Sequence, residues 1–227
     1  MESFKFQILC VSLHIGSLAD CKLELSATGV GDAYALITSV FAPGYNPIEV
    51  PDCVHSDFGP HITQEYDSEL RRHVFAFHLH PTPDNDRCIK FDRQRNEIKL
   101  YNKTDPAYHG TESSDQMTVE YWPCDGCGSE RIASHPLVPF LGEWLHLWEL
   151  AKFSNEGSKY ELRIDRVSDG ATLMHLTQNG LNLWREGAQL IRPKWGLYRS
   201  LADLDGLRDE RLLFNDFCVS GDRGSCP

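Results

Sequence analysis

A segment near the carboxyl-terminal end, Arg192 to Leu201, carries residue types that could do acid–base chemistry. Side chains alternate along an extended strand, so Lys194, Gly196 and Tyr198 would share one face. A glycine inside a strand often marks the close approach of a ligand or of another backbone. A phenol beside cationic side chains is suited to give or take a proton. The segment therefore predicts a face where Tyr198 and Lys194 act on a bound molecule.

A second polar row lies in the segment RQRNEIKLY, residues 93–101. Alternation turns Ile98 and Leu100 toward a core and leaves a charged set on the other face. That set comprises Arg95, Glu97, Lys99 and Tyr101. Such rows are often only a solvated face with cross-strand ion pairs, and this alternative stays open. Taken with the first segment, the row predicts one binding face.

Both segments belong to a pattern of short alternating stretches bounded by turn-forming residues. The stretches are residues 73–81, 96–102, 117–122, 143–153, 159–165, 172–178 and 211–219. No long segment keeps the helical period; only residues 68–72 and the stretch after residue 200 could be short helices. Many short strands without helices between them predict an all-β antiparallel sandwich, a jelly roll with a concave binding face.

Aromatic residues alternate along the strand predicted at residues 143–153. Trp144, His146 and Trp148 would share one face. If that face lines the pocket, the pocket suits an apolar small molecule. The alternative is that the tryptophans are plain core residues.

Length and charge restrict the class of protein. The chain has 227 residues, which suits one domain, and a formal net charge of -11. Such a chain repels nucleic acid and anionic membrane as a whole, so we predict no nucleic-acid partner. After the first residues no stretch approaches the ~20 apolar residues of a membrane span, so we predict no membrane partner.

The first residues resemble a secretory leader in their pattern. An apolar run from Phe6 to Leu18 follows Lys5, and a small-x-small site ends at Ala19. Residues 1–19 would then be a signal peptide and residues 20–227 the single domain. The alternative is a buried first strand.

Cysteines and a glycosylation sequon agree with the secretory pathway or an extracellular location. The chain has eight cysteines, and Asn102 begins the sequon NKT. Removing the leader would remove Cys10 and leave an odd seven. One thiol would then be free or paired between chains, which leaves a homodimer open.

Three clusters have some character of a metal site, and none has a complete ligand set. The CxxC at residues 124–127 has no second pair, and His78 and His80 have no third ligand. Asp203 and Asp205 give DLDGLRDE the carboxylate density of a calcium site without the spacing of an EF-hand loop. We predict no metal and no other cofactor, with the two aspartates as weak calcium candidates.

The two polar strands resemble those of the jelly-roll polysaccharide lyases that cleave alginate and glucuronan. Residues 95–99, RNEIK, resemble the lyase R-x-E-[L/V]-[R/K] strand, and residues 194–198, KWGLY, resemble the K-x-G-x-Y strand. The resemblance covers about residues 70–220 and implies a jelly roll with Tyr198 in the position of the lyase tyrosine.

The resemblance fails at the third lyase strand, which needs a Gln-Ile-His or similar stretch. The nearest remnant is Gln116-Met117-Thr118, where the histidine is missing. In the lyases this strand neutralises the uronate carboxylate during β-elimination. Loss of one such stabilising donor typically lowers the rate by about 100-fold to 1,000-fold. The scaffold is therefore expected to have kept a pocket and changed its substrate.

These departures resemble the fungal hetero-Diels-Alderases of tropolonic sesquiterpenoid biosynthesis in size, leader, scaffold and missing lyase strand. The resemblance implies that a hydroxymethyl tropolone loses water to an o-quinone methide. That species then adds to an alkene of a humulene-type sesquiterpene, without a cofactor. Tyr198 or Lys194 would protonate or hold the leaving hydroxyl, and Arg95 would hold the tropolone oxygens.

The remaining site residues would bind the two small-molecule substrates. They are Glu97, Lys99, Tyr101, Gln116, His146 and Trp148. Two alternatives stay open: a uronan lyase with an altered active site, and a non-catalytic protein that holds an acidic sugar on its cationic face.

Overall fold

The computed structural model describes residues 4–14, 22–41, 60–79, 116–123, 128–154, 157–183, 209–221 and 226, the first of these ranges by its backbone alone. The described strands are β1 (Phe4–His14), β2 (Lys22–Ser26), β3 (Ile62–Asp67), β4 (Arg72–Leu79), β5 (Gln116–Tyr121), β6 (Glu130–Pro136), β7 (Trp144–Lys152), β8 (Lys159–Arg166), β9 (Thr172–Asn179) and β10 (Glu210–Ser220). The α-helix of this part of the chain is α1 (Ala33–Phe41). The predicted all-β class is confirmed.

Eight strands form a large sheet in the order β3-β4-β10-β1-β7-β8-β9, with β2 also paired to β10. The hairpin β5–β6 forms a second, smaller sheet. Neighbouring strands run antiparallel, except that β1 is parallel to both β7 and β10. The short turns after β3 and β8 explain the antiparallel pairs β3–β4 and β8–β9, because two adjacent strands joined by a tight turn must reverse direction.

The main core lies on one face of the large sheet, which we call the core face. From the second layer, Met117, Val119 and Tyr121 of β5 and Ala33 and Ile37 of α1 pack into it. The large sheet contributes a list of apolar side chains that includes Leu145, Leu147, Leu162, Ile164, Met174, Leu212 and Phe214. The alternation of β7 and β8 is therefore explained by burial of every second side chain between two layers.

The opposite face of the large sheet, the outer face, has a smaller apolar cluster. It joins Val74 and Ala76 of β4, Trp144 of β7 and Leu213 of β10. Trp144 is 1% exposed. Trp144 is therefore a core residue of the outer face, which was the alternative to its predicted place in a pocket.

Helix α1 was not predicted, because it is short and has a capping residue as its main signal. The Asp32 carboxylate accepts a hydrogen bond from the backbone N–H of Tyr34 at 2.8 Å, which satisfies one free donor of the first turn. Ala33 and Ile37 lie one turn apart and are both buried. The helix therefore closes one part of the core face.

The prediction of a short helix at residues 68–72 is wrong. Residues 68–71 form a turn between β3 and β4, with Arg71 at a φ of 56°. The Asp67 carboxylate accepts hydrogen bonds from the backbone N–H groups of Glu69 and Leu70 at 3.0 and 2.8 Å. This local pairing favours a turn over a helix.

The segment predicted as a leader is paired inside the sheet. Residues 4–14 form β1, whose backbone is in register with β7 on one side and β10 on the other. This is the alternative that the sequence left open for the same residues. Cleavage near Ala19 stays a prediction. A cleaved chain would lack β1, whereas an uncleaved chain keeps β1 between β7 and β10.

Cys218 forms a disulfide with Cys226. It joins the end of β10 to the last described residue, eight positions along the chain. The CxxC at residues 124–127 lies outside the described residues. No helix in the described part of the chain has the length and apolar character needed to cross a membrane.

Candidate functional site

Most of the residues predicted to do chemistry lie outside the described residues. These are Tyr198, Lys194, Arg95, Glu97, Lys99, Tyr101, Asn102, Asp203 and Asp205. The structure describes the three remaining predicted site residues, Gln116, His146 and Trp148.

Gln116 begins strand β5 and lies on the face of the hairpin that is turned away from the main core. The Ser134 hydroxyl of β6 donates a hydrogen bond to its Oε1 at 2.9 Å. Thr118 and Glu120 follow on the same face of β5, since Met117 and Val119 between them pack in the main core. Both are buried. The hairpin thus holds a polar row of three side chains.

Thr118 is the residue that stands where the lyase resemblance requires a histidine. Its side chain is 3% exposed, and its hydroxyl has no hydrogen-bond partner among the described residues. A threonine hydroxyl does not take up a proton near neutral pH, whereas an imidazole does. The position therefore offers no proton acceptor of the lyase kind.

His146 and Trp148 lie on the outer face, at alternate positions after Trp144. Both side chains are half-buried. Gln116 faces away from the main core on the other layer, so it does not meet His146 or Trp148. The structure therefore does not bring the three predicted substrate-binding residues together.

The outer face places His146 beside an acidic partner. Its register neighbour on β8 is Asp165, which accepts hydrogen bonds from Arg163 Nε at 2.9 Å and from the Thr172 hydroxyl at 2.7 Å. Burial alone would raise the pKa of Asp165, but these hydrogen bonds together outweigh it and the pKa is lowered. The carboxylate is therefore held in place and ionised.

Burial lowers the pKa of His146, and the Asp165 carboxylate opposes part of that effect. The imidazole is then mostly neutral at pH 7. Its Nε2 is buried without a hydrogen-bond partner among the described residues. The pair resembles an oriented base, and within the described residues Nε2 is free to hydrogen-bond with a bound group.

An acid lies on the opposite side of the same strand. Glu149 occupies the core face of β7, between Leu147 and Ala151, which are both members of the main core. The neighbouring strand β8 brings Leu162 directly opposite and Tyr160 diagonally. Sequence analysis overlooked this residue, although the same alternation that groups the tryptophans puts Glu149 in an otherwise apolar row.

The interior changes the chemistry of this carboxyl group. Burial raises the pKa of Glu149 to about 7, and the nearby Tyr160 hydroxyl lowers it by a smaller amount. Burial, followed by the nearby Glu149 carboxyl, raises the pKa of Tyr160 well above its usual value. At neutral pH the phenol is protonated and the carboxyl is shared between its two forms.

Glu149 is more accessible to solvent than the residues around it. Tyr160 is 6% exposed, and Leu147, Ala151 and Leu162 are buried. Glu149 keeps some accessible surface, although its carboxyl is deep enough to be strongly desolvated.

The described residues also include His78, one of the predicted metal candidates. Its Nε2 lies 2.9 Å from the Thr63 hydroxyl and 3.5 Å from Glu65 Oε1, and Glu65 is also paired with Arg211 at 2.8 Å. The carboxylate and imidazole are thus engaged in a surface network. Within the described ranges, no three His, Cys, Asp or Glu side chains are close enough to hold a metal ion.

Comparison with known proteins leaves the function to be argued from this geometry: no family model, no curated protein and no solved structure matches the chain.

Proposed function

We propose that the chain is a small-molecule enzyme on a lyase-like β-sandwich, a hetero-Diels-Alderase. It dehydrates a hydroxymethyl tropolone to an o-quinone methide and directs its [4+2] addition to a humulene-type sesquiterpene. Tyr198, Lys194 and Arg95 are its proposed catalytic residues, on the resemblance given above.

The observation that carries the proposal is the buried Thr118 on β5. A lyase needs a proton-accepting side chain there, and Thr118 supplies a hydroxyl that is 3% exposed and has no partner among the described residues. Elimination of a uronate also requires stabilisation of a growing negative charge. The scaffold without that group is better suited to a reaction that needs mainly orientation.

A cycloaddition is such a reaction. Holding two reactants in register contributes several kcal/mol, roughly 7 to 11 in favourable cases, without any charged catalyst. Glu149, an acid on the core face, is partly protonated at neutral pH. A partly protonated acid suits the loss of water that must precede the addition.

The test is a product assay with purified protein, a hydroxymethyl tropolone and a humulene-type sesquiterpene. We expect one stereoisomer of the adduct to form faster than in the protein-free mixture, measured by chiral chromatography with mass detection. Adduct formed at the protein-free rate, as a mixture of isomers, would refute the proposal. Incubation with glucuronan and alginate, followed by ultraviolet absorbance of unsaturated uronates, separates the lyase alternative.

Two tyrosine variants make the assay specific. Tyr198→Phe should lower adduct formation by at least tenfold, because it removes one donor at the reacting centre. Tyr66→Phe is the matched control, since Tyr66 is exposed on β3 and should leave the rate unchanged. Saturable binding of polyuronate without product, weakened by Lys194→Ala, would instead favour the acidic-sugar-binding alternative.

A further inference from the structure

Two cysteines that are far apart in the chain are register partners in the middle of the large sheet. Cys10 of β1 is aligned with Cys218 of the parallel neighbour β10, and the positions on either side of them pair in the same register. Adjacent strands lie about 4.7 to 4.9 Å apart. A disulfide bond needs a Cα–Cα separation of about 4.4 to 6.8 Å. The backbone therefore holds positions 10 and 218 within reach of a disulfide bond.

Cys218 has a different partner in the structure. Its disulfide with Cys226 closes a short loop of eight positions at the end of β10. Phe217 and Val219 pack in or against the main core, so alternation places Cys218, and with it its register partner Cys10, on the outer face. Cys218 is 2% exposed. A dissolved thiol therefore reaches this sulfur poorly, whereas position 10 is the next one across the sheet.

We propose that Cys10 and Cys226 are alternative disulfide partners of Cys218, exchanged within the sheet. The Cys10 thiolate attacks Sγ of Cys218, so that the Cys10–Cys218 bond forms as the Cys218–Cys226 bond breaks. Cys226 leaves as a thiolate and takes up the proton that Cys10 has lost. One thiol and one disulfide are present before and after the exchange, so the step needs no oxidant and no reductant.

Exchange changes which part of the fold the disulfide restrains. The bond to Cys226 restrains the chain end after β10. The bond to Cys10 would fasten β1 to β10 inside the sheet, and residues 1–14 would then stay attached to the domain even after cleavage near Ala19. It would also release the thiol of Cys226, which is half-buried. The exchange thus selects between a locked first strand and a closed chain end, and it does not depend on the reaction proposed above.

The test is peptide mapping of the full chain without reduction. The protein is equilibrated with reduced and oxidised glutathione, which lets each cysteine reach its preferred partner, and free thiols are then blocked with N-ethylmaleimide. Trypsin separates the three cysteines into residues 6–22, 212–223 and 224–227. We expect peptide 212–223 in two linked forms, one with 224–227 and one with 6–22, the second accompanied by blocked 224–227. Fragmentation of the linked peptide distinguishes Cys10 from Cys21.

Three variants identify the partners. Cys226→Ser removes the competing partner, so the bond to Cys10 should become the main state of Cys218. Cys10→Ser should leave Cys218 bonded to Cys226 alone. Cys21→Ser is the matched control, because Cys21 shares the tryptic peptide of Cys10 and precedes β2, and it should leave the partners of Cys218 unchanged. A parent chain without the Cys10–Cys218 linkage would overturn the proposal, whether or not the Cys226→Ser variant folds.

The pairing should also depend on the folded sheet. In an unfolded chain the bond that closes the shorter loop is favoured, by about 100-fold for positions 218 and 226 over positions 10 and 218. Equilibration in concentrated urea should therefore move Cys218 almost entirely from Cys10 to Cys226. An equal share of the Cys10–Cys218 bond in folded and unfolded chains would show that the register of β1 with β10 does not create the pairing.

Discussion

Glu149 of β7 and Tyr160 of β8 are diagonal neighbours on the core face of the large sheet, among side chains that are otherwise apolar. His146 and Asp165 are a second such pair, directly opposite each other on the same two strands, on the outer face. One strand pair therefore carries two titratable pairs in opposite environments. In the first pair, burial raises the pKa of the carboxyl group to about 7. The second pair contains an ionised carboxylate held by hydrogen bonds.

The interior acid should make stability fall as pH rises. The pKa of Glu149 is raised by burial from its usual 4.5 to about 7 in the folded state. Its favourable contribution is complete below pH 4.5 and is lost as pH rises to 7, about 3 kcal/mol in all. Urea unfolding at pH 5 and pH 8 measures the change in the free energy of unfolding.

The matching substitution isolates this contribution. Glu149→Gln cannot ionise, so the part of the pH dependence due to Glu149 should vanish, whereas Glu130→Gln should keep it. An equal loss of stability between pH 5 and pH 8 in the Glu149→Gln and parent chains would show that the group does not titrate in this range.

The outer-face histidine should report on its acidic partner. Asp165→Asn should lower the pKa of the His146 imidazole further, because the carboxylate now raises it against the effect of burial. The pKa is measured from the imidazole proton shifts by nuclear magnetic resonance. Asp169→Asn is the control, since the carboxylate of Asp169, whose pKa is lowered to about 2 by its hydrogen bond with Arg166, lies in the turn after β8. An unchanged His146 pKa in Asp165→Asn would contradict the contact.

The two tryptophans of β7 should differ in their effect on folding. Trp144→Ala should lower the free energy of unfolding by about 3 to 5 kcal/mol, because it empties the centre of the outer-face cluster. Trp148→Ala should lower it by less than half as much, because the side chain is only half-buried. Urea unfolding at one pH compares the two variants. Equal losses would mean that Trp148 is as much a core residue as Trp144.

Removal of residues 1–19 should strongly destabilise the sheet. β1 is hydrogen-bonded to β7 and β10 along most of its length, so its loss leaves two unpaired strand edges in the middle of the sheet. We expect a chain of residues 20–227 to lose its cooperative thermal transition, followed by circular dichroism. A chain lacking only residues 1–3, which precede β1, should keep it.

The opposite result would favour the leader. A chain of residues 20–227 as stable as the full chain, together with a secreted protein whose first residue by mass spectrometry follows Ala19, would mean that the mature sheet forms without β1.

Alternation along the chain determined most of the strands in advance. Residues of β4, β5, β7, β8, β9 and β10 were predictable because a half-buried strand must repeat its apolar side chains every second position, and this pattern is visible locally. The strands β2, β3 and β6 were not predicted. β2 alternates, but it is only five residues long, and neither β3 nor β6 has a consistently apolar face. β2 is placed by a partner distant in the sequence, β10, whereas β3 pairs with the next strand, β4, and β6 with the preceding strand, β5.

Only the tertiary structure determined which face of each strand packs against the second layer. Strand β7 has large apolar residues on both sides, Trp144 on one and Leu145 and Leu147 on the other, so its sequence does not reveal which side meets the second layer. Packing against β5 and α1 makes the leucine side the core face. That choice moves His146 and Trp148 away from Gln116 and brings Glu149 inside, where desolvation by non-local neighbours changes an ordinary carboxyl group into one that can act as an acid near neutral pH.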